Sequence, residues 1–114
     1  KVKKVIMCSG KIYFDLLDEQ QKQKAKEVAI VRIEQLHPFP KKQLDAILKK
    51  YKNPKLIWAQ EEPENMGPWS YILRIAGGYE FILVARKAAS SPATGFNKIH
   101  KMEQEDLVNK AFKL

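Results

Sequence analysis

The sequence predicts an α/β fold: a three-layer α/β/α sandwich on a mainly parallel sheet with strand order 2-1-3-4. Three observations carry it. Four short apolar runs, rich in β-branched residues, recur at 5–8, 28–33, 55–59 and 81–85, nearly continuous rather than alternating, as strands covered on both faces are. Helical apolar stripes fill the intervals between them. And 114 residues hold one domain, with no internal repeat and no linker, so residues 1–114 are taken as a single unit.

In chain order, the first run ends at Cys8. Ile12, Tyr13, Leu16 and Leu17 follow at i, i+1, i+4 and i+5, with a polar tail to Lys26, and predict the first helix. Pro40 suits the first turn of the second helix, where its missing N–H costs nothing. Leu44, Ile47, Leu48 and Tyr51 then form a stripe at i, i+3, i+4 and i+7, and the first three are expected to be buried. Trp58 lies inside the third strand and is core by position. Gly67 and Pro68 open a third helix through Trp69, Ile72, Leu73 and Ala76, which Gly77 and Gly78 close. The fourth strand runs into a loop over 90–95, His100 precedes the last helix, and Leu107, Val108, Ala111 and Phe112 form that helix's apolar face. Right-handed crossovers between parallel strands turn this alternation into the sandwich.

Composition excludes several classes. Hydrophobic residues at 45% and charged residues at 30% exclude disorder. No apolar run approaches the roughly 18 residues of a membrane helix, so no membrane partner is expected, and no secretory core is present. Cys8 is the single cysteine, which excludes an intrachain disulfide and a thiolate zinc cage and points to a reducing compartment. His37 and His100 are too far apart in the chain to suggest a metal site. The net charge of +8 attracts anions, yet only Arg32, Arg74 and Arg86 are arginines and the lysines are scattered. Nucleic-acid binders add arginines or an aromatic stripe. A solvated lysine surface is therefore favoured and no nucleic-acid partner is expected; a stand-alone anion- or nucleic-acid-binding module is the rival. A chain that opens on Lys1 rather than Met reads as a piece of a longer polypeptide.

In a sheet of this order, ligand sites lie at the carboxyl ends of the strands flanking the reversal. Those ends nominate Ser9, Gly10, Lys11, Glu61 and Glu62. A phospho-receiver would need acids after the first strand and an aspartate after the third, and neither is there. A flavin site would need a longer, hydroxyl-rich loop, and a dinucleotide site three spaced glycines where only Gly10 stands. Cys8, at the end of a covered strand, reads as an inert thiol. Glu61 and Glu62 are consecutive, so their side chains diverge and make a poor proton-sharing pair. They are expected to accept backbone N–H bonds or to pair with Lys11. No catalytic, cofactor-binding or metal-binding residue is assigned. Trp69, in a polar corner, and Phe39, on an arch held by Pro38 and Pro40, read as docking candidates.

Four motifs then matter together: Cys8–Phe14 (CSGKIYF), Val28–Pro40 (VAIVRIEQLHPFP), Gln60–Trp69 (QEEPENMGPW), and Ser91–Gly95 (SPATG) with Lys98–Gln104 (KIHKMEQ). In order and spacing they resemble the carboxyl-terminal domain of the 2-oxoglutarate dehydrogenase decarboxylating components. The resemblance implies a domain like the transketolase carboxyl-terminal domain, packed on upstream thiamine-binding domains and contributing to a homodimer. It implies a parent enzyme with thiamine diphosphate and magnesium, oxidatively decarboxylating 2-oxoglutarate in the tricarboxylic acid cycle. The succinyl group passes to the lipoyl-lysine of the dihydrolipoyl succinyltransferase complex, in bacterial cytoplasm or the mitochondrial matrix. The family's catalytic residues lie upstream, so the 114 residues alone are expected to be inactive. Gln35, Lys42 and Gln43 match the positions at which some relatives bind acetyl-CoA as an effector, with Gln43 standing in place of an arginine. A 2-oxoadipate-type paralogue shares the same pattern.

Overall fold

The computed structural model describes residues 2–33, 40–75, 79–86 and 97–114. Strands and helices alternate as β1 (Lys4–Cys8), α1 (Ile12–Gln23), β2 (Val28–Arg32), α2 (Lys41–Lys50), β3 (Lys55–Pro63), α3 (Trp69–Ile75), β4 (Phe81–Arg86) and α4 (Asn97–Lys113). The four strands form one parallel sheet in the order β2-β1-β3-β4, as the sequence predicts. In register, Ile6 of β1 lies between Ile30 of β2 and Ile57 of β3, and Ile57 in turn pairs with Ile82 of β4.

Side chains alternate across each strand, so the sheet feeds two cores. Ile6, Cys8, Ile57, Ala59 and Val84 face α1 and α4, where Ile12, Leu16, Leu107 and Ala111 meet them. Val5, Met7, Leu56 and Trp58 face the other side, under Leu44 of α2 and Ile72 of α3. Two such cores are why the strands read as continuous apolar runs.

Several boundaries differ from the sequence reading. Helix α1 stops at Gln23, because Lys24 turns left-handed (φ 52°, ψ 45°) and its N–H bonds back to the carbonyls of Gln20 and Gln21. Pro40 stands just ahead of α2 rather than within its first turn. Strand β3 runs beyond Ala59 to Pro63, since pairing with β4 slips between Ala59 and Pro63 and resumes at Arg86. Helix α4 begins at Asn97, which places His100 inside it. Leu44 is buried, but Ile47 and Leu48 are only half-buried, and Leu73 of α3 is 57% exposed. The physical reason is size: helices of 10 and 7 residues cover the second core, against 12 and 17 on the first.

This difference in burial sets an order of costs. Leu44→Ala should lose about 2–5 kcal/mol, the range for a filled core site, and Leu48→Ala less, under about 2 kcal/mol. Urea unfolding of both variants checks it, and equal losses would show that α2 presents a different face to the sheet.

Candidate functional site

The carboxyl edge of the sheet is organised around Gln60, the buried polar residue of the core at 2% exposure. Its Oε1 accepts from the Trp58 indole N–H at 3.0 Å and from the Trp69 backbone N–H at 2.9 Å. Its Nε2 donates to the carbonyls of Glu62, Pro63 and Met66 at 3.2, 2.9 and 2.8 Å. One amide therefore ties the irregular end of β3 to the first residue of α3. Gly67 completes the corner at φ +70°, and a Cβ there would stand 2.9 Å from the Glu62 side chain. A glycine is needed both for the backbone angle and for that close approach.

Because side chains alternate, Glu61 turns to the opposite face, where four elements converge. The Gln104 amide of α4 donates to Glu61 at 3.2 Å and to Asp15 of α1 at 2.9 Å. Arg86, at the end of β4, donates to Gln104 at 2.9 Å and to Glu103 at 3.0 Å, with its side chain 7% exposed. Glu61 is held above the ordinary carboxylate range chiefly by burial, and further by Glu62 and Asp15; Lys11 and Arg86 pull the other way. Lys11 acts on Glu61 through space, and no ion pair within 4 Å joins them among the described residues. The anticipated divergence of Glu61 and Glu62 is what the corner shows.

The β1 end is quieter. Ser9 is half-buried, Gly10 takes φ +79°, and Lys11 precedes α1. A Cβ on Gly10 would meet nothing within 4 Å, so the angle alone asks for glycine. Arg32 closes β2 with its guanidinium over the rings of Tyr13 at 5.5 Å and Phe14 at 5.2 Å. Cys8 is fully buried, and burial pushes its thiol up to about 12 despite the nearby Arg32, so it is a packing residue without thiolate chemistry.

The structure thus brings Lys11 and Glu61 to one side and Glu62 to the other. Lys42 and Gln43 lie exposed in the first turn of α2, while Gln35 and Phe39 fall outside the described residues. Trp69 is half-buried against the second core. Arg86, Gln104, Asp15 and Gln60 went unrecognised as partners in the sequence. A glutamine directly after a buried apolar run, and an arginine closing another, are the signals that could have found them.

Chain comparison decides the family. The model of the family described as 2-oxoglutarate dehydrogenase C-terminal matches residues 1–112. The chain belongs to the 2-oxoglutarate dehydrogenase C-terminal family. It is 41% identical to the 2-oxoglutarate dehydrogenase E1 component of Cupriavidus necator over 98% of this chain and 12% of that protein. It is 44% identical to the E1 component of Rickettsia conorii, over 96% of this chain and 13% of that protein. An oxoglutarate dehydrogenase of Buchnera aphidicola is 42% identical over all of the chain. The chain spans 12–13% of the length of these relatives. The thiamine diphosphate and magnesium that the family resemblance implies for a longer enzyme find no fit at the carboxyl edge of the sheet among the described residues. No three His, Cys, Asp or Glu side chains gather there to hold a metal, and Gly10 leaves open space rather than a cradle.

Two outcomes follow from this geometry. Gln60→Leu keeps the volume but strands two N–H groups and takes a donor away from three carbonyls, and at about 1–3 kcal/mol for each buried orphan should cost at least about 2 kcal/mol in denaturant unfolding. A loss below 1 kcal/mol would mean that the amide does not organise the corner. For Glu61, a raised folded pKa means that the ionised carboxylate weakens the fold at neutral pH. That penalty is present above its folded pKa and disappears below its unfolded value of 4.5. Glu61→Gln should therefore melt higher than the parent at pH 7, with the advantage closing as pH falls through the carboxylate range. An advantage that grows with acid would reverse the assignment.

Proposed function

We propose that this chain is the carboxyl-terminal domain of a larger thiamine-diphosphate- and magnesium-dependent enzyme. That enzyme oxidatively decarboxylates 2-oxoglutarate and passes the succinyl group to the lipoyl-lysine of dihydrolipoyl succinyltransferase. Within it the domain packs on the thiamine-binding domains and on the homodimer mate and contributes no reacting group. The observation that carries this reading is the family match over residues 1–112, set against relatives about eight times longer, all named for 2-oxoglutarate rather than 2-oxoadipate chemistry. A setting in bacterial cytoplasm or the mitochondrial matrix accords with it, and no described helix is long and apolar enough to cross a membrane.

The docking role is supported by the thinner cover of the second core. Half-buried Trp69 and exposed Leu73 on α3, with half-buried Phe81 on β4, offer apolar area that a neighbouring domain would cover. Phe39, between its two prolines, is proposed for the same surface. Lys42 and Gln43 in the first turn of α2, together with Gln35, are the proposed acetyl-CoA contacts; a helix amino terminus suits a phosphate, although Gln43 supplies no charge.

Leu73→Ser separates docking from folding. It should leave the melting of the 114-residue chain within about 0.5 kcal/mol, the usual range for a surface change. In the intact enzyme it should lower the dimer fraction in sedimentation, as should Phe39→Ser with Trp69→Ser. The 114-residue chain given 2-oxoglutarate, thiamine diphosphate, magnesium and an artificial electron acceptor should show no turnover above a buffer blank. Turnover by the short chain, or unchanged dimerisation in both variants, would overturn the reading.

A further inference from the structure

We propose that the basic recess at the amino ends of the strands, walled by Lys3, Lys4, Lys24, Lys26 and Lys55, binds a small diphosphate-bearing anion, either inorganic or part of a nucleotide. These lysines come from three separate segments: the start of β1, the α1–β2 turn and the start of β3. They share one concavity with a single acidic side chain, Glu27, which pairs with Lys3 at 3.6 Å.

The recess is built rather than loosely fringed. The Glu27 carbonyl accepts from the N–H groups of Lys3 and Lys4 at 2.8 and 3.2 Å, and the Lys55 N–H donates to the Lys3 carbonyl at 2.9 Å. The Gln20 amide donates to the Val28 carbonyl, and the turn starts at Lys24, whose left-handed conformation is unusual for a residue with a side chain. Lys4 Nζ donates to the carbonyls of Ala111 and Phe112 at 3.2 and 2.7 Å, and Lys55 Nζ to that of Leu114 at 2.8 Å. An ammonium has three N–H donors. Lys4 thus keeps one and Lys55 two for a ligand, on head groups already held in place.

The ordinary explanation of lysines here is that they complement helix carboxyl termini, since α1 and α4 both end at this edge. Magnitudes decide against it as a full account. Two helix ends supply about −0.5 each, and Glu27 supplies one more charge, about −2 against five ammoniums. About +3 remains, or about +2 where Leu114 carries a free carboxylate. Lys4 feels the excess: burial, and then the charge of Lys55, lower its affinity for a proton. A monophosphate brings about −1.5 to −2, which offsets the lower figure but leaves about one charge of the higher, and a diphosphate, with its further ionised oxygen, matches the higher. Ala25, Val28 and Phe112 give the recess an apolar side that a nucleoside could cover.

The test is a heteronuclear NMR titration of the labelled chain with inorganic pyrophosphate, and separately with ADP, in 150 mM salt. Saturable shifts should centre on residues 3, 4, 24–28 and 55. Lys24→Gln with Lys26→Gln, both exposed and away from the α4 contacts, should weaken binding about tenfold. Lys49→Gln with Lys50→Gln, an equal charge change on α2, should weaken it less than about twofold. Tighter ADP binding, with shifts at Ala25 and Phe112, identifies a nucleotide; equal affinities identify the diphosphate alone. Shifts spread over all lysines, equal losses in the two double variants, or no saturation would overturn the proposal.

Discussion

A strand that slips out of register leaves backbone groups without ladder partners, and β3 slips between Ala59 and Pro63. Gln60 stands at that slip with an amide that offers both an acceptor and two donors. Its oxygen takes the Trp58 indole N–H and the Trp69 backbone N–H, and its nitrogen meets three carbonyls of the turn. The large Trp58 ring can then lie fully buried without an orphaned indole N–H, and α3 starts in a defined direction. Placement of both glutamates follows. Glu62 shares the face of Gln60 and packs on Gly67, which sends Glu61 to the α1/α4 side.

The two faces of the sheet are unequal as a result. Under α1 and α4 the core closes, and its rim is tied by the chain running from Arg86 through Gln104 to Asp15 and Glu61. Under α2 and α3 the buried centre of Val5, Met7, Trp58 and Leu44 is ringed by half-buried side chains. The Tyr79 hydroxyl reaches across to the Asp45 carboxylate and ties the start of β4 to α2. Burial and the hydrogen bond to that carboxylate push the phenol up to about 12, so the tie holds through the neutral range. This is a polar link where the first face has apolar contacts, and it leaves Leu73 uncovered.

Period and length made most of the fold legible. Continuous apolar runs with helical stripes between them lead to one parallel sheet, and its strand order is the common doubly wound one. What could not be read was polar. Gln60 interrupts an apolar run and so read as the end of a strand, although backbone pairing does not depend on side-chain polarity. Arg86 and Gln104 lie 18 residues apart, and nothing local says that they touch. Helical periodicity put Ile47, Leu48 and Leu73 on apolar stripes; it carries no information on how wide a neighbouring helix is, and their partial exposure comes from that width.

A parallel sheet normally keeps its ligand site at the carboxyl edge, because helix amino termini and strand ends leave polar groups there for a partner. Here the domain's own side chains occupy that role at β3 and β4. Glu61 and Asp15 share one amide, and Arg86 is buried between Glu103 and Gln104. A network closed on itself rigidifies an edge and offers little to an incoming substrate, because a ligand would have to displace hydrogen bonds already made. The opposite edge is the reverse case. There the cations outnumber the local negative charge, and Lys4 and Lys55 retain unused donors on fixed head groups. At β3 and β4 the self-satisfied end therefore suits structure, and the proposed diphosphate recess lies at the end of the sheet where strand topology alone would not look.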